Sequence, residues 1–138
     1  MCYQAEIGDI LTLKIGGKLD AGNETSIITG KLKHRGDMVN YTGGAPIPSA
    51  VVDCADMTVI ITKDRAPLCR PDILDSIEPD WREFPIVVVK LGFLFPELAE
   101  VVERTILAFT PGNSTQRLGD MHHSNIRRPM FPLDDNFA

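Results

Sequence analysis

Asp120-Met121-His122-His123 sets a carboxylate two residues before an imidazole, a pattern that can grip a first-row metal ion. Carboxylate oxygen and imidazole nitrogen are both ordinary zinc ligands, which makes Asp120, His122 and His123 the metal candidates of the chain. Only one further histidine exists, His34, and no Cys-x-x-Cys pair accompanies it. A closed zinc site takes three or four protein ligands, so a solvated loop is the commoner use of such a triplet and no metal of its own is expected here. Gly16-Gly17-Lys18 offers backbone amides and an ammonium to an anion. It lacks both the phosphate-loop spacing and a following helix, so its plain reading is a turn closing a strand. A thiol nucleophile at Cys54 or Cys69 would need His34 brought to it as base. Serine chemistry has no Gly-x-Ser-x-Gly elbow to stand on. The carboxylate pairs Asp53/Asp56 and Asp72/Asp75 sit where turns and helix starts ordinarily use them.

These residues must be positioned by a domain of ordinary make-up. At 138 residues the chain is long enough for one core, burying roughly two thirds of its unfolded surface. The net charge of −5 leaves no basic footprint for nucleic acid, and Arg127-Arg128 with Arg117 is too small a cluster to supply one. The start, Met1 to Glu6, has neither the basic region nor the apolar run of a secretory signal. The longest apolar stretches, around Val59–Ile61 and Ile86–Val89, fall far short of a membrane span. Three cysteines, Cys2, Cys54 and Cys69, suggest no disulfide scaffold. A cytoplasmic protein, with no membrane and no nucleic-acid partner, is the expectation.

Periodicity divides the chain into two styles. Ile10–Ile15 alternates as a strand and runs into the double glycine. Thr25–His34 reads as a strand, with Arg35-Gly36-Asp37 as a hairpin turn and a further strand near Met38–Tyr41. Ala50–Val52 and Met57–Thr62 follow as strands, the second so continuously apolar that burial on both faces is expected. Pro71–Ile77 reads as a short acidic helix, with proline at its first turn. Ile86–Val89 is a uniformly apolar strand, Pro96–Arg104 has apolar residues at helical spacing, and Thr105–Phe109 is a last strand. The predicted fold is α/β, a mixed sheet with an antiparallel N-terminal half and a βαβαβ-like C-terminal half. Residues 1–138 form a single domain in this reading, with 112–138 a polar loop and tail.

Several motifs recur together in one known family. Ile15-Gly16-Gly17-Lys18-Leu19-Asp20, Asn40-Tyr41-Thr42-Gly43, Thr62-Lys63-Asp64-Arg65, Pro85-Ile86-Val87-Val88-Val89-Lys90, Thr110-Pro111-Gly112 and Arg127-Arg128-Pro129-Met130-Phe131-Pro132-Leu133-Asp134 occur in that order. In order and spacing they resemble the C-terminal domain of the microcystinase C (MlrC-type) zinc metallopeptidases, from about Gly8 to Leu133. The resemblance implies an accessory domain whose zinc is held by a preceding N-terminal metallopeptidase-like domain. It implies further that Gly16, Gly17, Lys18 and Asp20 face that domain.

One stretch departs from the family pattern. Relatives follow the apolar strand and lysine with serine and then a histidine-phenylalanine-arginine stretch, whereas here Lys90 leads into Leu91-Gly92-Phe93-Leu94-Phe95. A cleft lined by that stretch would be more apolar and would take a different substrate. The substrate-cleft or interface candidates are therefore Gly16, Gly17, Lys18, Asp20, Lys90, Phe93, Phe95, Arg127 and Arg128. Two functions follow as expectations: an accessory domain contributing cleft contacts and stability to a zinc-dependent hydrolase, or a non-catalytic binding module, with a homo-oligomer possible in either case.

Overall fold

A computed structural model describes residues 2–17, 25–109, 117, 119, 121 and 123–136. It divides into two compact units, Met1–Arg104 and Thr105–Ala138. Among the described residues, no helix is long and apolar enough to cross a membrane.

The first unit is built on four strands, β1 (Ile10–Ile15), β2 (Ser26–Met38), β3 (Ile47–Cys54) and β4 (Met57–Thr62), antiparallel and in sequence order. The antiparallel N-terminal half is as the alternation predicts. The hairpin at Arg35-Gly36-Asp37 is not: these residues stay in β2, Gly36 lying opposite Ser49. Arg35 explains why the ladder continues, because its Nη1 donates to the carbonyls of Tyr3 at 2.7 Å and Ala5 at 2.9 Å. The chain turns instead at Asn40-Tyr41-Thr42-Gly43. There Asn40 Oδ1 accepts from the Thr42 amide at 3.0 Å, and Gly43 takes a φ of 74°, which glycine adopts without strain.

A bulge lets one sheet fill two cores. Leu32 stands opposite Val52, yet His34 stands opposite Val51, leaving Lys33 as the extra residue. One extra residue reverses the facing of everything after it. Ile28 and Leu32 therefore join Leu13, Ala50, Val52 and Cys54 on one side. Met38, further along the same strand, joins Ile47, Val51, Cys69, Ile73 and Ile77 on the other. β3 serves both sides at once, which is why nearly all of it is buried. β4 also touches both cores, through Val59 and Ile61 on one face and Ile60 on the other. It lies at the edge of the sheet and stays half-buried, which corrects the expectation of full burial.

After β4 the alternating α/β half does not form. Helix α1 spans Pro71–Asp75, shorter than predicted, with proline in its first turn and Ile73 and Leu74 buried. Helix α2 spans only Pro96–Ala99. Its N-cap residue, Phe95, has no side-chain oxygen for the free amides. Glu97, Glu100 and Glu103 recur three apart, so like charges oppose extension, and Val101-Val102 adds β-branched residues. A helix this short makes no crossover between parallel strands. Accordingly Ile86–Val89 and Thr105–Phe109 carry no strand ladder, and the βαβαβ arrangement is not seen among the described residues. A third cluster, of Leu74, Trp81 and Leu98, takes the place of that half, with Val89, Leu91 and Val102 packed against it.

The second unit contains no strand or α-helix among its described residues. Its best-defined element is the loop Arg128–Asp134. Asp134 accepts from Arg128 Nη1 at 2.6 Å and from the Met130 amide at 2.7 Å, while Leu133 N donates to Met130 O at 2.9 Å.

Candidate functional site

The residues singled out from the sequence fall on separate parts of the structure. Gly16 and Gly17 close β1 with φ of 73° and 61°, values that a side chain would make costly. Lys18 and Asp20, which would complete that motif, lie outside the described residues. Lys90 is exposed at the end of the apolar run. Phe93 and Phe95 are brought together, their rings stacked at 4.8 Å between centroids. Arg127 is exposed, and Arg128 is committed to Asp134. Of the metal candidates, Asp120 and His122 lie outside the described residues, and His123 is half-buried.

Around the two phenylalanines the structure assembles an aromatic shelf. Phe95 enters the second core, and its ring meets the edge of Tyr41 at 6.2 Å. Phe93 stacks on its outer side and is 63% exposed. The Arg70 guanidinium lies 5.6 Å from the Tyr41 ring centre and grips Asp72 through two bonds of 2.9 and 2.7 Å. That grip holds the Asp72 carboxyl below its ordinary range. Tyr41 and Arg70 were not among the sequence candidates. A turn tip such as Asn40-Tyr41-Thr42-Gly43 displays its aromatic residue, and that was the signal available.

A second feature, also absent from the sequence reading, is a shallow groove of about 360 Å³ lined by Lys33, His34, Asp53, Thr58, Glu78, Pro79 and Phe84. The bulge at Lys33 turns His34 toward this side of the sheet. Lys33 Nζ lies 3.3 Å from Asp53, and His34 Nδ1 lies 4.0 Å from Glu78. Lys33 and Asp53 therefore offset each other's charge at this groove.

Chemistry inside the described residues is limited. No group of three His, Cys, Asp or Glu side chains among them is arranged to hold a metal ion, so they do not fit a zinc site. Cys69 is fully buried, and burial pushes its thiol pKa up, away from the thiolate a nucleophile needs. What the unit offers is surface: an aromatic shelf and a bare apolar run.

The family described as MlrC C-terminus matches residues 1–125. The chain belongs to that family. The match takes in the Gly16-Gly17 turn, the Asn40–Gly43 turn, the Pro85–Lys90 run and the aromatic shelf of this MlrC C-terminal domain. It stops short of Arg127–Asp134, so the last part of the resemblance rests on those residues alone. Comparison with curated proteins and with solved structures found no match.

Proposed function

We propose that this MlrC C-terminal domain is the accessory domain of a zinc-dependent metallopeptidase- or amidohydrolase-like protein. It adds one wall, and stability, to a cleft whose metal is held by a separate N-terminal domain. The observation that carries the reading is the shelf of Tyr41, Phe95 and Phe93, which presents an uncovered ring beside a polar rim of Arg70 and Asp72. Such a surface suits the lip of a cleft, where a ring is dry on one face and meets a partner on the other. Replacing the family's polar stretch by Leu91 and Phe93-Leu94-Phe95 makes that lip apolar, so the substrate is a peptide or amide bearing an apolar group. Three free cysteines fit a reducing, cytoplasmic setting.

The purified chain alone should hold less than about a tenth of a zinc per molecule after mild dialysis, read by elemental analysis, and should cleave no linear peptide. Both follow from needing three or four ligands around the ion. A stoichiometric zinc lost on His122→Ala/His123→Ala would overturn the assignment of the metal to another domain. Chelator-sensitive peptide turnover by this chain alone would do the same.

A second reading, a binding or oligomerisation module that keeps the fold without the chemistry, has its own support in the uncovered Pro85–Lys90 run. There Ile86 and Val88 are 80% and 89% exposed.

A further inference from the structure

Pro85–Lys90 has the composition of a strand and the surroundings of none. Ile86-Val87-Val88-Val89 is four β-branched residues in a row, and exposure alternates along it with the period of a strand. Ile86 and Val88 point outward, whereas Val89 and Leu91 pack on the Trp81 cluster. No backbone amide or carbonyl from Pro85 to Leu91 has a hydrogen-bond partner among the described residues. A run like this, anchored by one face and open along its edges, is a template for another strand.

We propose that the open edge is a homodimer contact, in which two copies of this chain pair antiparallel through Pro85–Lys90 about a two-fold axis at Val87. Charge favours a second copy in that direction. Glu83 and Lys90 flank the run, both are exposed, and neither has an ion-pair partner among the described residues. Antiparallel pairing brings each Lys90 beside the Glu83 end of the other copy, whereas parallel pairing would set Lys90 against Lys90. Facing favours it too, because a two-fold axis at Val87 places Ile86 opposite Val88 in both directions. The two most exposed side chains of the run then cover each other as β-branched cross-strand pairs. Such a contact is isologous and closes at two copies. It deepens the second reading above, and it is measured on this chain alone, so its failure leaves the zinc-hydrolase reading to its own tests.

Sedimentation equilibrium on the purified chain tests the pairing. A dimer is expected, and Val87→Pro/Val88→Pro should weaken it at least tenfold. Adjacent amides point to opposite edges, so this pair removes a ladder donor whichever edge is used. Neither amide is bonded among the described residues, and the near-ultraviolet signal of Trp81, the single tryptophan, should stay native. Val88→Lys should weaken the dimer similarly by placing a charge on the paired face. Glu83→Lys and Lys90→Glu should each weaken association, and the double swap should restore it. A monomeric wild type at tens of micromolar would overturn the proposal. A dimer indifferent to the proline pair, or a swap that fails to rescue, would overturn it equally. So would a chain that is monomeric alone and loses binding to an MlrC-type N-terminal domain on Val88→Lys, since the edge would then belong to that domain.

Discussion

Gly30→Ala is expected to lower the stability of the first unit by about 3 kcal/mol, and Gly30→Val to prevent folding, because no space exists at this position. A methyl group built on Gly30 would lie 2.5 Å from the Asp53 carbonyl oxygen and 2.8 Å from both Cys54 Sγ and Val52 Cγ1. The first of these is backbone, held in the β3–β4 ladder opposite Thr58. Relief therefore means moving a strand rather than a rotamer, against a total stability of about 5–15 kcal/mol for a domain of this kind. Urea unfolding followed by circular dichroism should show a midpoint lower by about 1–3 M, taking m as about 1–3 kcal/mol/M. Gly44→Ala is the control: its added methyl would meet nothing closer than 3.4 Å, so it should stay within about 0.5 kcal/mol of the parent. Equal midpoints for the two variants would show that β3 does not press on Gly30 as described.

Trp81→Ala is expected to cost about 3–5 kcal/mol and to act locally. Trp81 is 7% exposed in the cluster with Leu74 and Leu98, and its indole N–H donates to Asp75 Oδ1 at 2.8 Å. Arg82 lies over the ring, 4.5 Å from its centre, and donates to the same carboxylate at 2.6 and 3.2 Å. The Arg82 bonds first, and the Trp81 bond second, hold the Asp75 carboxyl below its ordinary range. A depressed carboxylate stabilises the fold above its unfolded pKa of about 3.9 and loses that contribution as pH falls toward its folded value. The clasp is therefore intact at neutral pH. Removing the indole takes away the floor on which Val89 and Leu91 rest, while the two sheet cores keep their own residues. Hydrogen exchange should accelerate at the bonded amides of Ser76, Ile77, Glu83, Phe84 and Leu98–Val101 and stay slow in β2 and β3. Uniform acceleration through the sheet, or none anywhere, would contradict a separate third cluster.

How much of this was legible varies by residue. Ile10–Ile15 and Met57–Thr62 were readable because their patterns end at unmistakable turns. Gly36 misled, since glycine after arginine looks like a hairpin, and only the two bonds from Arg35 to the N-terminal segment show why the strand runs on. The bulge at Lys33 left no mark in the sequence, yet it decides that Met38 and Leu32 serve different cores. Ile86–Val89 shows the limit of periodicity, which reports that a segment can be a strand and not whether it has a neighbour. Phe93 and Phe95 stood out because Leu91 and Phe93-Leu94-Phe95 replace the polar stretch that relatives carry after the lysine. Tyr41 and Arg70 complete the shelf from positions over twenty residues upstream, which no spacing rule connects.

If the shelf is one wall of a shared cleft, it binds a metal-bearing partner. Titration calorimetry between this chain and the N-terminal domain of an MlrC-type zinc protein measures that, with zinc followed in each component by elemental analysis. A one-to-one complex is expected, with the metal retained by the N-terminal domain. Phe93→Asp should weaken it at least tenfold, about 1.4 kcal/mol, because the exposed ring is the anchor and its loss leaves Phe95 and the second core in place. No detectable association, or binding that Phe93→Asp leaves unchanged, would contradict the reading of this domain as one wall of a shared cleft.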